Sequence, residues 1–377
     1  MVVVGHFLTK YQPTIGQSSF TLGSTLGGVA VLLFFVLSGL LICYSLLNKL
    51  RNPEYRFRNF FVDRFSRIYS GLVPALLLGA IIAAIIYITN YSYYVYLSSM
   101  QSPPSLLSLG MTLAMLERFP VVFFNSLLSV FGLTFPLPSV TPFGFNGILW
   151  TLVVEWWIYM AFGWFVFGLL GLKRKGKGGI VNKVLFFVVA AVLSLLLVGL
   201  FEEFSSLIIV WFVGALMMLA ISNETVRSKL SGYFAARVLA ALFILTLAVT
   251  VFGVYTTFAL TGQYYDVFLG LLLSSCVFLG VLFFNGNGVG RVKKLILDKR
   301  TVSWVTIGSG FSYTLFLTHY PIIIFLNGLN LPVNRFYLMF PILLVTNITA
   351  FSIAYFTEKR HKELGRTIKK IFSLSQI

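Results

Sequence analysis

Apolar runs of about twenty residues, separated by short polar stretches, set the pattern of this chain. The full runs cover 27–48, 68–89, 147–171, 184–201, 206–222, 238–259, 266–284, 305–326 and 336–356, and an apolar stub, 1–8, precedes them. A helix rises ~1.5 Å per residue and the hydrocarbon core of a bilayer is ~30 Å thick, so one such run crosses it once. The runs carry few or no charges, as a membrane interior requires, and a backbone there satisfies its own hydrogen bonds only as a helix or a closed barrel. The pattern predicts an all-α, polytopic membrane helix bundle of about ten transmembrane helices, the first one truncated, with no separate soluble domain. Residues 1–356 form the membrane domain in this reading, and 357–377 form a basic cytoplasmic tail. The long connection 90–146 is rich in Tyr, Phe, Ser and Pro, residues suited to the water–lipid boundary, and its 105–117 stretch predicts an interfacial helix.

Composition sharpens this picture. The chain has 377 residues, of which 58% are hydrophobic and only 10% charged. A soluble domain uses about 25% charged residues, so lipid must cover much of this surface. The net charge of +17 does not point to nucleic acid, because the basic residues sit in short connections rather than on one face of a folded domain. Of the 28 Lys and Arg, 25 fall in 49–67, 172–183, 223–237, 285–304 and 357–377, on alternate connections. Positively charged loops stay in the cytoplasm, so these connections and the C-terminus are expected inside, in a plasma membrane. Clusters such as Lys173–Lys177 also suit anionic lipid headgroups. Cys43 and Cys276 lie within apolar runs and read as small buried hydrophobes; no set of residues has metal-ligand spacing.

Ionisable side chains at membrane depth are costly and mark function by default. Three qualify here: His6, Glu155 and His319. Glu155 lies about 12 Å below the outer end of its run, on one helical face with Thr151 and Tyr159. His319 follows Ser312 by seven residues on one face, and Pro321 leaves the carbonyl of residue 317 without its helical donor. His6 lies near the outer end of the stub, so all three share the outer third of the bilayer. Structural roles remain open for each: a carboxyl bonded to a neighbouring helix, an imidazole bonded to backbone. On the inner side Arg64 and Arg67 are adjacent on a helix and can grip a phosphate through planar, bidentate hydrogen bonds, or simply anchor topology.

Four segments in this order resemble the acyltransferase-3 family of membrane O-acyltransferases, which decorate cell-surface glycans. They are Phe34-Phe-Val-Leu-Ser38-Gly39, Arg64-x-x-Arg67 with Ile68-Tyr69, Trp150-x-Leu-x-x-Glu155, and Ser312-Tyr313-x-Leu-Phe-Leu-x-His319-x-Pro321. The family's first helix carries a basic residue well ahead of its histidine; only five residues precede His6 here, so that position has no counterpart.

The resemblance implies acyl-CoA, acetyl-CoA by default, as a cytoplasmic co-substrate with no bound cofactor. It implies an extracytoplasmic glycan or lipid-linked saccharide as acceptor. His6, Glu155 and His319 become the expected catalytic groups, Arg64 and Arg67 the donor-binding pair, and Ser38, Trp150, Ser312 and Tyr313 supporting residues. A histidine near its natural pKa suits removal of a hydroxyl proton, and a carboxylate can orient the ring. The competing reading is a transporter or flippase of a glycan or small anionic solute, which also places buried charge in a helix bundle but commonly shows internal repeats; none is evident here.

Overall fold

The computed structural model describes residues 1–10, 17–117, 138–173, 180–229, 263–285, 298–329 and 335–372, with scattered residues in 121–132 and 238–252. Among them the secondary structure is helical throughout, with no strand. The helices are α1 (Val2–Lys10), α2 (Gln17–Lys49), α3 (Phe57–Thr89), α4 (Tyr91–Met100), α5 (Leu106–Leu113), α6 (Trp150–Lys173) and α7 (Ile180–Ser222), followed by α8 (Glu224–Lys229), α9 (Gln263–Asn285), α10 (Lys299–Ser309), α11 (Ser312–Gly328), α12 (Met339–Phe356) and α13 (His361–Ile371). The chain is therefore a polytopic helical membrane protein. Four helical stretches are long and apolar enough to cross a bilayer: Gly23–Lys49, Phe57–Thr89, Gly147–Leu170 and Met339–Ile371. The bent pair Arg300–Ser309 and Ser312–Gly328 makes a fifth, and Ser206–Ser222 and Val267–Leu282 are shorter apolar helices. Most of the run at 238–259, much of the connections 223–237 and 285–304, and most of the Lys173–Lys177 cluster lie outside the described residues.

One difference from the sequence pattern concerns 180–222. The pattern predicts two spans with a turn over 202–205; a single helix runs through. The junction, Phe201-Glu-Glu-Phe-Ser-Ser206, holds no Gly or Pro, and glutamate is a strong helix former, so nothing local breaks the helix.

Two compact units make up the chain: Met1–Arg51 with Ser205–Ser309, and Asn52–Phe204 with Gly310–Ile377. In the first, Gly5 of α1 lies against Gly23 and Gly27 of α2, a Cβ on Gly5 falling 2.7 Å from the Gly23 carbonyl oxygen. The same device joins α2 to the last turns of α7. A Cβ on Gly39 would sit 2.0 Å from the Trp211 carbonyl oxygen, and one on Gly214 would sit 2.2 Å from that of Val36. Small residues let apolar helices approach where burial from water supplies no drive. Beside this crossing the Trp211 Nε1–H donates to the Ser38 hydroxyl at 3.1 Å, both residues being buried. The signature Phe34–Gly39 thus builds a helix crossing, with Ser38 as its polar pin.

In the second unit α3 is apolar on all sides from Leu72 onward, and its faces there divide cleanly. Leu77, Ile81, Ile85 and Ile88 are exposed at helical spacing, whereas Leu72, Leu76, Ile82, Ala83 and Ile86 are buried. An exposed apolar stripe of this length on a helix is a lipid-facing surface. Of these, Ile82, Ala83 and Ile86 join Leu97 of α4, Phe145, Ile148 and Tyr320, Ile322 and Ile324 of α11 in one core. On α12 the buried positions Thr346, Ala350 and Ala354 recur every four residues, while Phe340, Leu344 and Ile348 are exposed. The interfacial helix expected over 105–117 ends at Leu113, because Met115 adopts φ +55° and turns the chain. Beyond that turn the segment packs inward: the Tyr69 hydroxyl donates to the Leu113 carbonyl and the Trp157 Nε1–H to that of Met115 at 2.9 Å.

Pro321 shows how the core satisfies a polar group that its own helix cannot. The proline cannot donate to the Leu317 carbonyl, and that oxygen instead accepts the Asn146 side-chain amide at 2.8 Å. Asn146 follows Gly144, whose φ of +74° excludes most side chains and whose Cα lies close to Gly79 of α3. Asn146→Ala strands a buried carbonyl and should cost about 1–3 kcal/mol. In a Pro321→Ala background the new N–H can bond Leu317 directly, so the same change should cost clearly less. Denaturant or thermal unfolding of the four proteins in detergent checks this cycle; equal costs in both backgrounds would refute the pairing.

Candidate active site

The candidate site in the second unit gathers around one phenol. Tyr313, in the first turn of α11, is buried and donates to the Ile68 carbonyl of α3 at 3.1 Å. Its ring lies where α3 carries Gly71; a Cβ there would meet the ring at 2.7 Å. The Arg67 guanidinium stands 5.6 Å from the ring centroid, within cation–π range. Glu155, Glu358 and Tyr69 also lie within electrostatic reach of the phenol. Sequence depth alone separates Glu155 from the paired arginines, yet both Glu155 and Arg67 act on Tyr313. The reason is that α3 starts at Phe57, so Arg64 and Arg67 stand on its second and third turns rather than in a loop below it.

Glu155 is buried on the α6 face shared with Thr151 and Tyr159, which are buried too, and it accepts the Tyr159 hydroxyl. The next residue, Trp156, meets Phe61 and Tyr69 edge-on, with centroids 5.7 and 5.8 Å apart. That contact ties the Trp150–Glu155 segment to the helix of the paired arginines. Trp150 begins α6 and is half-buried.

Arg67 Nη1 pairs with Glu358 Oε1 at 3.1 Å, and its side chain remains 40% exposed. Arg64 lies over the Phe60 ring at 5.7 Å, and its Nε is buried with no hydrogen-bond acceptor among the described residues. Asp63 accepts the Tyr55 hydroxyl at 2.8 Å and pairs with Lys369 Nζ at 2.8 Å. Burial, followed by the neighbouring Asp63 charge, pushes the Tyr55 phenol above its ordinary pKa, which keeps it a neutral donor.

His319 is completely buried on α11. Its Nδ1 lies 3.0 Å from the Leu315 carbonyl, so in the neutral ring Nδ1 carries the proton and Nε2 the lone pair. Ser312 opens the same helix. His6 belongs to the first unit, on α1, where its carbonyl accepts the Thr9 hydroxyl at 3.1 Å. Among the sequence-selected residues, the second unit thus brings Arg67, Tyr313 and Glu155 together, with Arg64 one turn before Arg67. Ser38 and His6 are carried by the first unit.

Three polar residues escape the sequence analysis. Asn146 and Glu117 both lie in the long 90–146 connection; Glu117 is 1% exposed beside Thr112. The signal for Glu117 is a lone carboxylate at the end of the apolar stretch 106–116. Glu358 is hidden among the basic residues of the tail, although it is 2% exposed and holds Arg67.

A buried polar cluster beside two arginines thus lies inside a polytopic helix bundle. In the family comparison, a model described as an acyltransferase domain matches residues 1–357, nearly the whole chain. The chain belongs to the acyltransferase-3 family and is, in general terms, a membrane acyltransferase. Comparisons with curated proteins and with solved structures found no match.

Proposed function

We propose that this protein transfers an acyl group, acetyl by default, from cytoplasmic acyl-CoA to a hydroxyl of an extracytoplasmic glycan or lipid-linked saccharide, working in the plasma membrane with its basic loops inside. The observation that carries this reading is the arginine pair: Arg67 is fixed over Tyr313 with much of its surface exposed, and Arg64 presents a buried Nε donor without a protein acceptor among the described residues. Planar guanidinium groups suit the phosphates of coenzyme A. In the reaction the acceptor oxygen attacks the thioester carbonyl and loses its proton to a histidine. The carbon–sulfur bond then breaks, and the thiolate leaves as CoA after gaining a proton. Stabilising that tetrahedral oxyanion falls to polar donors aimed at it, for which the Tyr313 region supplies candidates.

The test is release of CoA thiol from acetyl-CoA by purified protein given a cell-surface glycan extract. Replacing Arg64 and Arg67 together with Lys keeps the charge that topology needs and removes the planar fork. It should leave insertion intact and raise the apparent KM for acetyl-CoA by roughly tenfold or more, with less effect on kcat, because the phosphates lie remote from the reacting carbon. A double-Lys protein with parental affinity for acyl-CoA would reduce the arginines to anchors. A parent protein that never releases CoA would defeat the acyl-transfer reading itself.

A further inference from the structure

The helix that carries Tyr313 and His319 starts without a cap of its own. Phe311 precedes it, and no side chain from that position bonds the first turn. The first N–H groups of a helix need acceptors, most of all when buried. Glu358 supplies one from across the unit: its Oε2 accepts the Thr314 backbone N–H at 3.1 Å and the Thr314 hydroxyl at 2.8 Å. Its other oxygen faces Arg67 Nη1 at 3.1 Å. One buried carboxylate therefore caps the first turn of α11 and forms an ion pair, without a hydrogen bond, with the motif arginine. The Tyr313 ring below the guanidinium limits its tilt.

The flanking tail is built onto the same place. Helix α13 packs on α3: Lys369 Nζ, itself almost fully buried, pairs with Asp63, and Gly365 lies against Ser66, where a Cβ would come within 3.0 Å of the hydroxyl. Asp63, Ser66 and Arg67 are neighbours along one stretch of α3, so the tail packs beside the arginine motif. The family match stops at residue 357, one residue before this carboxylate.

We propose that Glu358 is a positioning residue for acyl-donor binding: it orients Arg67, and the α13 helix holds it there. The proposal rests on the donor-binding role given to Arg67 above. An ion pair with one partner 40% exposed contributes little to stability, so its consequence lies in orientation rather than in folding energy. A guanidinium already drawn to a carboxylate on one side and a ring on one face loses less freedom when its N–H groups meet an anion.

The test compares Glu358→Gln with the parent. Glutamine keeps an oxygen for Thr314 and removes the charge that holds Arg67. The apparent KM for acetyl-CoA should rise about tenfold, within the range for residues of one ion-pair network, while kcat at saturating donor stays close to parental. Modification of Arg67 by phenylglyoxal, read peptide by peptide in a mass spectrometer without acyl-CoA, should become severalfold faster. Where Glu358→Gln fails to fold, Glu358→Asp keeps the charge but shortens the reach, and should shift both readouts in the same direction. Unchanged Arg67 reactivity would overturn the clamp. A freed Arg67 with an unchanged KM would overturn its link to the donor. Should the parent fail to bind acyl-CoA, the donor reading falls, and Arg67 reactivity alone then decides whether Glu358 holds the arginine.

Discussion

Replacing His6 with Ala is expected to cut acetyl-CoA-dependent CoA release by about 10²–10⁴-fold, the usual contribution of a general base, while insertion and folding persist. The attacking hydroxyl must lose a proton, and imidazole is the side chain whose ordinary pKa lies near neutrality. The chain holds only three histidines, His6, His319 and His361. His361 opens the tail helix α13, and its Nδ1 lies 2.6 Å from the Glu358 carbonyl, which leaves His6 and His319 as candidates. On the family resemblance, His6 is the histidine expected in the first helix. His319 is completely buried with Nδ1 held by Leu315, an arrangement equally suited to a fixed base and to a structural ring. The two substitutions therefore separate the roles. Loss of kcat in His6→Ala, with a milder, KM-weighted loss in His319→Ala, assigns proton removal to His6 and acceptor binding or ring packing to His319. Parental turnover in His6→Ala would transfer the base to His319. Circular dichroism and size-exclusion profiles matching the parent are needed for either result to count.

Much of this site is legible in the amino-acid sequence, because membrane depth makes each polar residue conspicuous. Glu155 stands out in an apolar run, and its i, i+4, i+8 companions Thr151 and Tyr159 are indeed the buried face. Pro321 announces an orphan carbonyl at residue 317, although the donor that satisfies it, Asn146, lies 171 residues away and no local pattern reveals it. Periodicity also locates the spans of α2, α3, α6 and α12. It fails at 202–205, where two glutamates interrupt hydrophobicity without interrupting the helix. Charge counting fails in a different way at the tail. It weighs 357–377 as one basic block, whereas Glu358 and Lys369 are buried and each makes a specific pair. A net charge describes how a segment meets a membrane; it does not say which of its members turn inward.

Gly39→Ala should destabilise the first unit more than any other single methyl addition in the Phe34–Gly39 segment, by about 1–3 kcal/mol or beyond, the range for an overpacked core. The added Cβ would sit 2.0 Å from the Trp211 carbonyl oxygen and 2.9 Å from its carbon, atoms of a helical backbone that cannot rotate away. The helices must part instead. Parting them stretches the Trp211 Nε1–H bond to Ser38 and lifts Gly214 from Val36, since all three contacts lie at one crossing. Ser38→Ala removes the acceptor of the Trp211 bond and leaves the close approach intact, so it should cost about 0.5–1.5 kcal/mol, the net contribution of one hydrogen bond. The order Gly39→Ala worse than Ser38→Ala is thus set by geometry: backbone against backbone on one side, a single hydrogen bond on the other. Thermal unfolding in detergent, followed by the fraction remaining monodisperse, measures both. If Gly39→Ala unfolds with the parent's midpoint, α2 and α7 do not cross at Gly39, and the signature needs another explanation than close packing.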